Sequence, residues 1–222
     1  MPEEINRVVA DHLSQLLFCP TSQASENLKD EGITTNVFKV GDVMYDSTLF
    51  AISRAKRQSD ILDELNLTSG DFALATIHRA ENTETKADLL KVIDWLKTRA
   101  EKMTIVMPLH PRTKSAAEKF GINIDGIKLC SPLSYFDMTQ LLVHCTVVYS
   151  DSGGVQKEAY FHSKPCVTLR NETEWVETIE KGWNRLWHVG DYAPRVQIDE
   201  YGDGNSAHII LMQIENYLDK IQ

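Results

Sequence analysis

The sequence predicts an α/β protein: a Rossmann-like parallel sheet with helices on both of its faces. Three observations carry that prediction. Short runs rich in β-branched and apolar residues recur along the chain. Amphipathic helical segments separate them. The runs are apolar at consecutive rather than alternate positions. A strand that is apolar on both sides belongs to a sheet covered on both faces, and regular alternation of strand and helix makes such a sheet parallel.

Taken in order, the first forty residues stand apart. "EEINRVVADHLSQLLFCPTSQASENLKDEG" reads as helix, short strand and helix, ending at Gly32, and "VFKVGDVMYD" follows as a strand and a turn. One strand with flanking helices cannot close a core, so residues 1–40 are assigned to another layer or domain. The regular pattern then runs from about 45 to 200. Its candidate strands are "FALATIH" (72–78), "TIVMPLH" (104–110), "GIKLCSPL" (126–133), "TVVYSD" (146–151) and "PCVTLR" (165–170). Between the first two, "ETKADLLKVIDWLKTRA" places Leu89, Leu90, Ile93 and Leu96 on one helical face, with Asn82 or Thr83 available as the cap. "YFDMTQLLVHC" and "VQKEAYFH" read as further helices. A last helix, "SAHIILMQIENYLDKIQ", has Ile209, Ile210, Met212, Ile214 and Leu218 to bury. The domain assignment is 1–40, 41–205 for the Rossmann-like domain, and 206–222 for the final helix.

Composition narrows the function. A chain of 222 residues with 42% hydrophobic and 25% charged residues supports a sizeable core. A formal charge of -9 argues against nucleic acid or an anionic membrane as partner, so any bound anion must be held by local cations and backbone amides. The apolar runs are too short to span a bilayer, and the N-terminus lacks a signal-peptide layout, so a cytoplasmic protein is expected. Cys19, Cys130, Cys145 and Cys166 are widely spaced with no C-x-x-C pair. They read as small apolar residues in a reducing compartment, and neither a metal nor a cofactor is expected.

The informative pattern lies at the strand ends. They deliver His78-Arg79-Ala80-Glu81-Asn82, then His110-Pro111-Arg112-Thr113, then Ser152-Gly153-Gly154, then Arg170 with Glu172-Thr173-Glu174. Open parallel sheets bind ligands outside the carboxyl ends of their strands. Gly153 and Gly154 would let the backbone approach a ligand closely, and the helix after them offers free amides and partial positive charge to a phosphate or diphosphate. Ser152 adds a hydroxyl, and Glu158, a turn further on, suits ribose hydroxyls. Plainer readings stand beside these. A Ser-Gly-Gly turn also serves simply as a helix entry, Asp151 as a cap, and a strand-end histidine as a satisfied surface residue. The arginines have Glu81 and Glu174 as structural partners. Trp175, Trp183 and Trp187 read as core or interface residues, and no P-loop, H-E-x-x-H or G-x-S-x-G motif is present.

The motifs "PEEINR", "VGDVMYD", "TIHRAENT", "PLHPRT", "DSGGVQKEA", "KPCVTLRNETEW" and "YGDG" occur in that order from Pro2 to about Ala207. Their order resembles the non-hydrolysing UDP-N-acetylglucosamine 2-epimerase family. The resemblance implies the C-terminal half of a glycosyltransferase-B-type pair of Rossmann-like domains. It implies that Ser152, Gly153 and Gly154 hold the diphosphate, Glu158 the ribose, and His78 the diphosphate and the catalytic chemistry. Glu3 is implied in acid-base work, and Arg79 and His110 in a second, activating nucleotide-sugar site. The reaction implied is inversion at C2 of UDP-N-acetylglucosamine by elimination and re-addition of UDP, with UDP and a UDP-N-acetyl sugar as partners and a homodimer in view.

The sequence also departs from the family pattern. Family chains are much longer, and Met1-Pro2 begins inside a family motif. The expectation is therefore that most of the N-terminal domain is missing, that the final helix has lost its packing surface there, and that the chain alone is inactive. Met138 stands where members often carry phenylalanine against the uracil, and Ser163 where glycine is frequent. "NETEW" in place of "DETER" points to a subgroup using a modified UDP-N-acetyl sugar. Two other readings are a UDP-binding module without turnover and half of a glycosyltransferase; the HRAEN and HPRT pair argues against the latter.

Overall fold

The structure, a computed structural model, describes residues 2–221, with side chains from Glu4 to Lys220. The chain forms two compact units, Met1–Phe50 with Ile198–Gln222, and Ala51–Gln197.

The first unit contains α1 (Pro2–Leu13), β1 (Leu17–Cys19), α2 (Ser22–Asp30), β2 (Val37–Lys39) and the start of α3 (Val43–Gln58). A 3₁₀ turn at Asp199–Tyr201 and the C-terminal helix Ser206–Ile221 complete it. β1 and β2 pair in parallel from Leu17↔Val37 to Cys19↔Lys39. Leu17, Cys19 and Leu28 make a small core with Ala24, Ile33 and Val37. Thr21 caps α2 by accepting from the Ala24 amide at 3.2 Å. The expected turn after β2 is shorter than the sequence suggested. Gly41, at φ +82°, makes it, and Asp42 then opens α3 by accepting from the Met44 amide at 2.8 Å. Gly41 is required twice over, because a Cβ there would lie 2.6 Å from Ser206 Oγ and 2.9 Å from the Tyr201 carbonyl.

The second unit holds the rest of α3, then α4 (Ile61–Glu64), β3 (Phe72–Thr76), α5 (Ala80–Thr83), α6 (Lys86–Ala100), β4 (Thr104–Pro108) and α7 (Pro111–Phe120). β5 (Lys128–Cys130), α8 (Tyr135–His144), β6 (Val147–Ser150), α9 (Gly153–Phe161), β7 (Cys166–Thr168), α10 (Val176–Glu180) and β8 (Asn184–Leu186) follow. The six strands form one sheet in the order β5-β4-β3-β6-β7-β8, and every pairing is parallel. The winding therefore reverses between β3 and β6. Connections leave those two neighbours in opposite directions, which opens a crevice at their carboxyl ends.

Both faces of this sheet are buried, as the strand patterns predict. Ala73, Ala75, Ile105 and Met107 pack into one core with α6, and Phe72, Leu74 and Val106 into the other with α8. The buried face of α6 is Leu89, Val92, Ile93 and Leu96, whereas Leu90 is 40% exposed. Its cap is Thr85, which accepts from the Asp88 amide at 3.2 Å, rather than Asn82 or Thr83. Those two residues are buried in α5, a short turn of helix that the sequence reading did not separate from α6. β8 and α10 also went unforeseen. β8 opens on a polar residue: Asn184 is buried and bonds to Gln156, Thr168 and Thr178.

All four cysteines are free thiols, and burial raises the pKa of Cys130, Cys145 and Cys166, the Cys145 thiol to about 12. Among the described residues, no group of three or more His, Cys, Asp or Glu is gathered to hold a metal, and no helix is long and apolar enough to cross a membrane.

Candidate functional site

The crevice between β3 and β6 is organised by one carboxylate. Asp151, the first residue after β6, is fully buried. Its oxygens accept from the backbone amides of His78, at 3.0 and 3.1 Å, and Arg79, at 2.9 Å. Asn82 Nδ2 donates to it at 3.0 Å and to the Leu169 carbonyl, also at 3.0 Å. A buried charge is tolerated when its lone pairs are filled in this way. Asp151 is therefore no cap of its own helix. It pins the loop after β3 and so places His78 and Arg79. One residue earlier, Ser150 and Thr76 join the two strands through hydroxyls 2.6 Å apart.

His78 is half-buried. Its Nδ1 lies 3.6 Å from Asp151, and its ring centroid 5.3 Å from that of His110. Burial holds its pKa below the ordinary value, with His110, Arg79 and Arg112 pushing the same way and Asp151 opposing. Near neutral pH the ring is uncharged and able to take up a proton. Arg112 donates to the His78 carbonyl at 3.3 Å, and Thr113 donates to the Ile77 carbonyl. His110 has a structural task as well: it is the N-cap of α7, and its Nδ1 accepts from the Arg112 amide at 3.1 Å.

Ser152 is the N-cap residue of α9, and its hydroxyl makes no capping bond. Gly153 is buried beneath the loop after β7. A Cβ on Gly153 would collide with Glu174 Oε1, and the Trp175 indole donates to the Gly153 carbonyl at 2.8 Å. The bare Cα thus first accommodates the chain's own Glu174. Arg170 is only 4% exposed and bridges two carboxylates, with Nε 3.0 Å from Glu81 and Nη1 2.9 Å from Glu174. Arg79 Nη2 is 3.9 Å from Glu174 Oε1. Lys157, buried on α9, places its ammonium 4.1 Å from the Trp175 ring centroid.

A turn further along α9, Glu158 is largely buried, which raises its carboxyl pKa against a hydrogen bond from Tyr135. Tyr135 and Met138, three residues apart, share a face of α8, and Met138 packs on the second core. Two groups thus emerge. His78, Arg79, His110 and Gly153 are linked through Asp151 and Glu174, while Glu158 and Tyr135 hydrogen-bond and Met138 stands beside them on α8. Gly154 lies in the first turn of α9. The Glu3 side chain lies outside the described residues.

Sequence reasoning missed the anchoring role of Asp151, the Tyr135 bond, and the place of Trp175 against Gly153. For Asp151 a signal existed: an acidic residue directly after a strand that neighbours another strand's end. Tyr135 and Trp175 carried no such signal.

Residues 1–215 match the family described as UDP-N-acetylglucosamine 2-epimerase. A UDP-N-acetylglucosamine 2-epimerase homolog of Methanococcus maripaludis is 46% identical over 233 residues, covering 97% of this chain and 65% of that protein. The UDP-2,3-diacetamido-2,3-dideoxy-D-glucuronate 2-epimerase of Pseudomonas aeruginosa is 44% identical over 191 residues, covering 84% and 52%. Among solved structures, the UDP-GlcNAc 2-epimerase of Methanocaldococcus jannaschii, in complex with UDP-GlcNAc and UDP, superposes with a TM-score of 0.85. Its identity is 35%, over 98% of this chain and 65% of that one. The chain thus spans less than two thirds of the length of each of these relatives.

Proposed function

This chain belongs to the UDP-N-acetylglucosamine 2-epimerase family, and on that premise we propose that it is the C-terminal, UDP-binding part of an epimerase acting on UDP-N-acetylglucosamine or a related UDP-N-acetyl sugar. The observation that carries this reading is the crevice at the sheet reversal. There Asp151 fixes His78 and Arg79 beside the amide end of α9. Ser152, Gly153 and Gly154 receive the diphosphate, Glu158 the ribose, and Met138 lies against the uracil. Tyr135 orients the Glu158 carboxyl. The domain of 41–205 is the nucleotide half, with 1–40 and 206–222 belonging with the other half of the longer relatives.

In the reaction, a base takes the C2 proton while the C1–oxygen bond breaks and UDP departs as the anion. Re-addition of UDP and return of a proton to the opposite face give the C2 epimer, UDP-N-acetylmannosamine or its analogue. His78, uncharged and next to the diphosphate, can hold a proton as negative charge develops on the leaving group. Glu3 is the acid-base carboxylate from this chain, and Arg79 and His110 face a second, activating nucleotide sugar. The Pseudomonas relative acts on a diacetamido uronate and shares 44% identity. That likeness supports a modified sugar as substrate. The reaction belongs in the cytoplasm, where reduced cysteines persist.

Because the chain covers 52% to 65% of these relatives, it is expected to bind UDP weakly and to turn over nothing alone. Calorimetric titration of UDP into the purified chain tests the site. Saturable binding, weakened about tenfold or more by Glu158→Gln, is the expected result. A folded chain that binds no UDP, or sustained epimerisation by the chain alone, would each overturn part of the reading.

A further inference from the structure

The loop after β7 places a negative charge where the nucleotide reading places a diphosphate. Glu174 Oε1 occupies the space beside Gly153 that any side chain there would fill. This is the first turn of α9, where backbone amides have no helical partners. The same carboxyl group is held from two sides, unequally. Arg170, almost fully buried, grips Oε2 at 2.9 Å and keeps Glu81 as a second partner at 3.0 Å. Arg79 stands 3.9 Å from Oε1, beyond hydrogen-bond distance, and its buried Nε has no hydrogen-bond partner among the described residues. Glu174 itself is 41% exposed at the side chain, so part of it is open to solvent.

Two anions cannot share one amide cluster without strong mutual repulsion. We propose that Glu174 is an internal counter-anion, seated over the amide end of α9 in the empty state and displaced by the incoming diphosphate. On displacement Arg79 is released from Glu174, while Arg170 remains neutralised by Glu81. The loop then acts as a charge filter: a ligand enters only if its own anion repays the separation of Glu174 from Gly153 and Arg79. The inference rests on the nucleotide reading and deepens it by naming how the site discriminates for the diphosphate.

The test is calorimetric titration of UDP and of uridine into the chain and its Glu174→Gln and Glu81→Gln variants, each shown folded by thermal unfolding. Glu174→Gln is expected to bind UDP about three- to tenfold more tightly, with uridine binding unchanged. Glu81→Gln loosens Arg170 without touching Gly153 and is expected not to tighten UDP. If Glu174→Gln fails to fold, Glu174→Asp, which withdraws the carboxylate by one methylene, should tighten UDP by a smaller factor. Unchanged or weaker UDP binding by the Glu174 variant, with the parent chain still binding UDP, overturns the filter and leaves the nucleotide reading intact. Binding of UDP by none of the chains removes both.

Discussion

The two units differ in how completely they satisfy themselves. In Ala51–Gln197 a six-stranded sheet is buried on both faces, and its crevice is pinned by a carboxylate bonded to His78, Arg79 and Asn82 of the same unit. In the other unit two strands of three residues share a small core. Ile5, Val9 and Leu13, spaced to line one stripe of α1, are 67%, 52% and 77% exposed. Leu211, Met212 and Leu218 of the C-terminal helix are exposed as well. The lesson is energetic. Substitutions in the larger unit orphan buried groups, whereas the apolar stripe of the smaller one has little burial to lose.

The sharpest way to break this contrast is at Asp151. Asp151→Ala leaves the amides of His78 and Arg79 and the Asn82 side chain without their acceptor, and should cost about 3–5 kcal/mol. Urea unfolding measures the loss. Amide exchange should show the region around 78–82 opening first; an unchanged midpoint would contradict the anchoring role.

Next comes His162, whose pKa burial depresses to about 4, with Lys164 adding to the shift. A histidine with a lowered folded pKa binds fewer protons folded than unfolded, so its contribution is present above the unfolded value of 6.5 and is lost as pH falls through about 4. Stability should decline over that window by on the order of 3 kcal/mol, and His162→Gln should flatten this part of the profile.

A gain is expected at Ser163. It follows α9 at φ +56°, with its amide bonded to the Tyr160 carbonyl and the Lys164 amide to the Ala159 carbonyl. This is a left-handed helix ending, where glycine is relieved of the strain that a Cβ brings. Ser163→Gly should raise stability by about 0.5 kcal/mol, read as a small increase in midpoint. Smallest of all, Ile5→Gln with Val9→Gln should shift stability by less than about 0.5 kcal/mol, because those side chains are already in water. A large loss would mean that the stripe is covered in solution.

How much could be read beforehand follows from the same physics. Strands apolar at consecutive positions, such as Phe72 to Ala75 of β3, announce a sheet with two covered faces, and their ends point to the crevice. β8 escaped notice because its interior contact is Asn184 bonding to Gln156, and a hydrogen-bonded polar core leaves no hydrophobic pattern. The start of α3 was hidden because Gly41 and Asp42 read as a turn, and it is their capping role that decides where the helix begins. The strand ends showed which residue types gather. That Glu174 sits over Gly153 depends on the path of a loop, which no local pattern specifies.

The reversal of strand order has a consequence for how the molecule is made. Thr76 and Ser150, joined across the central seam, are 74 residues apart in the chain, roughly two to four times the separation that closes a neighbouring β-α-β unit, and loop-closure entropy rises with that span. Each flank, β3-β4-β5 and β6-β7-β8, is a run of local closures, while the seam is the long-range one. Contacts of long sequence separation are slow to form. The crevice straddles that seam, so a chain still emerging from the ribosome acquires it only after β6 and α9 have been synthesised.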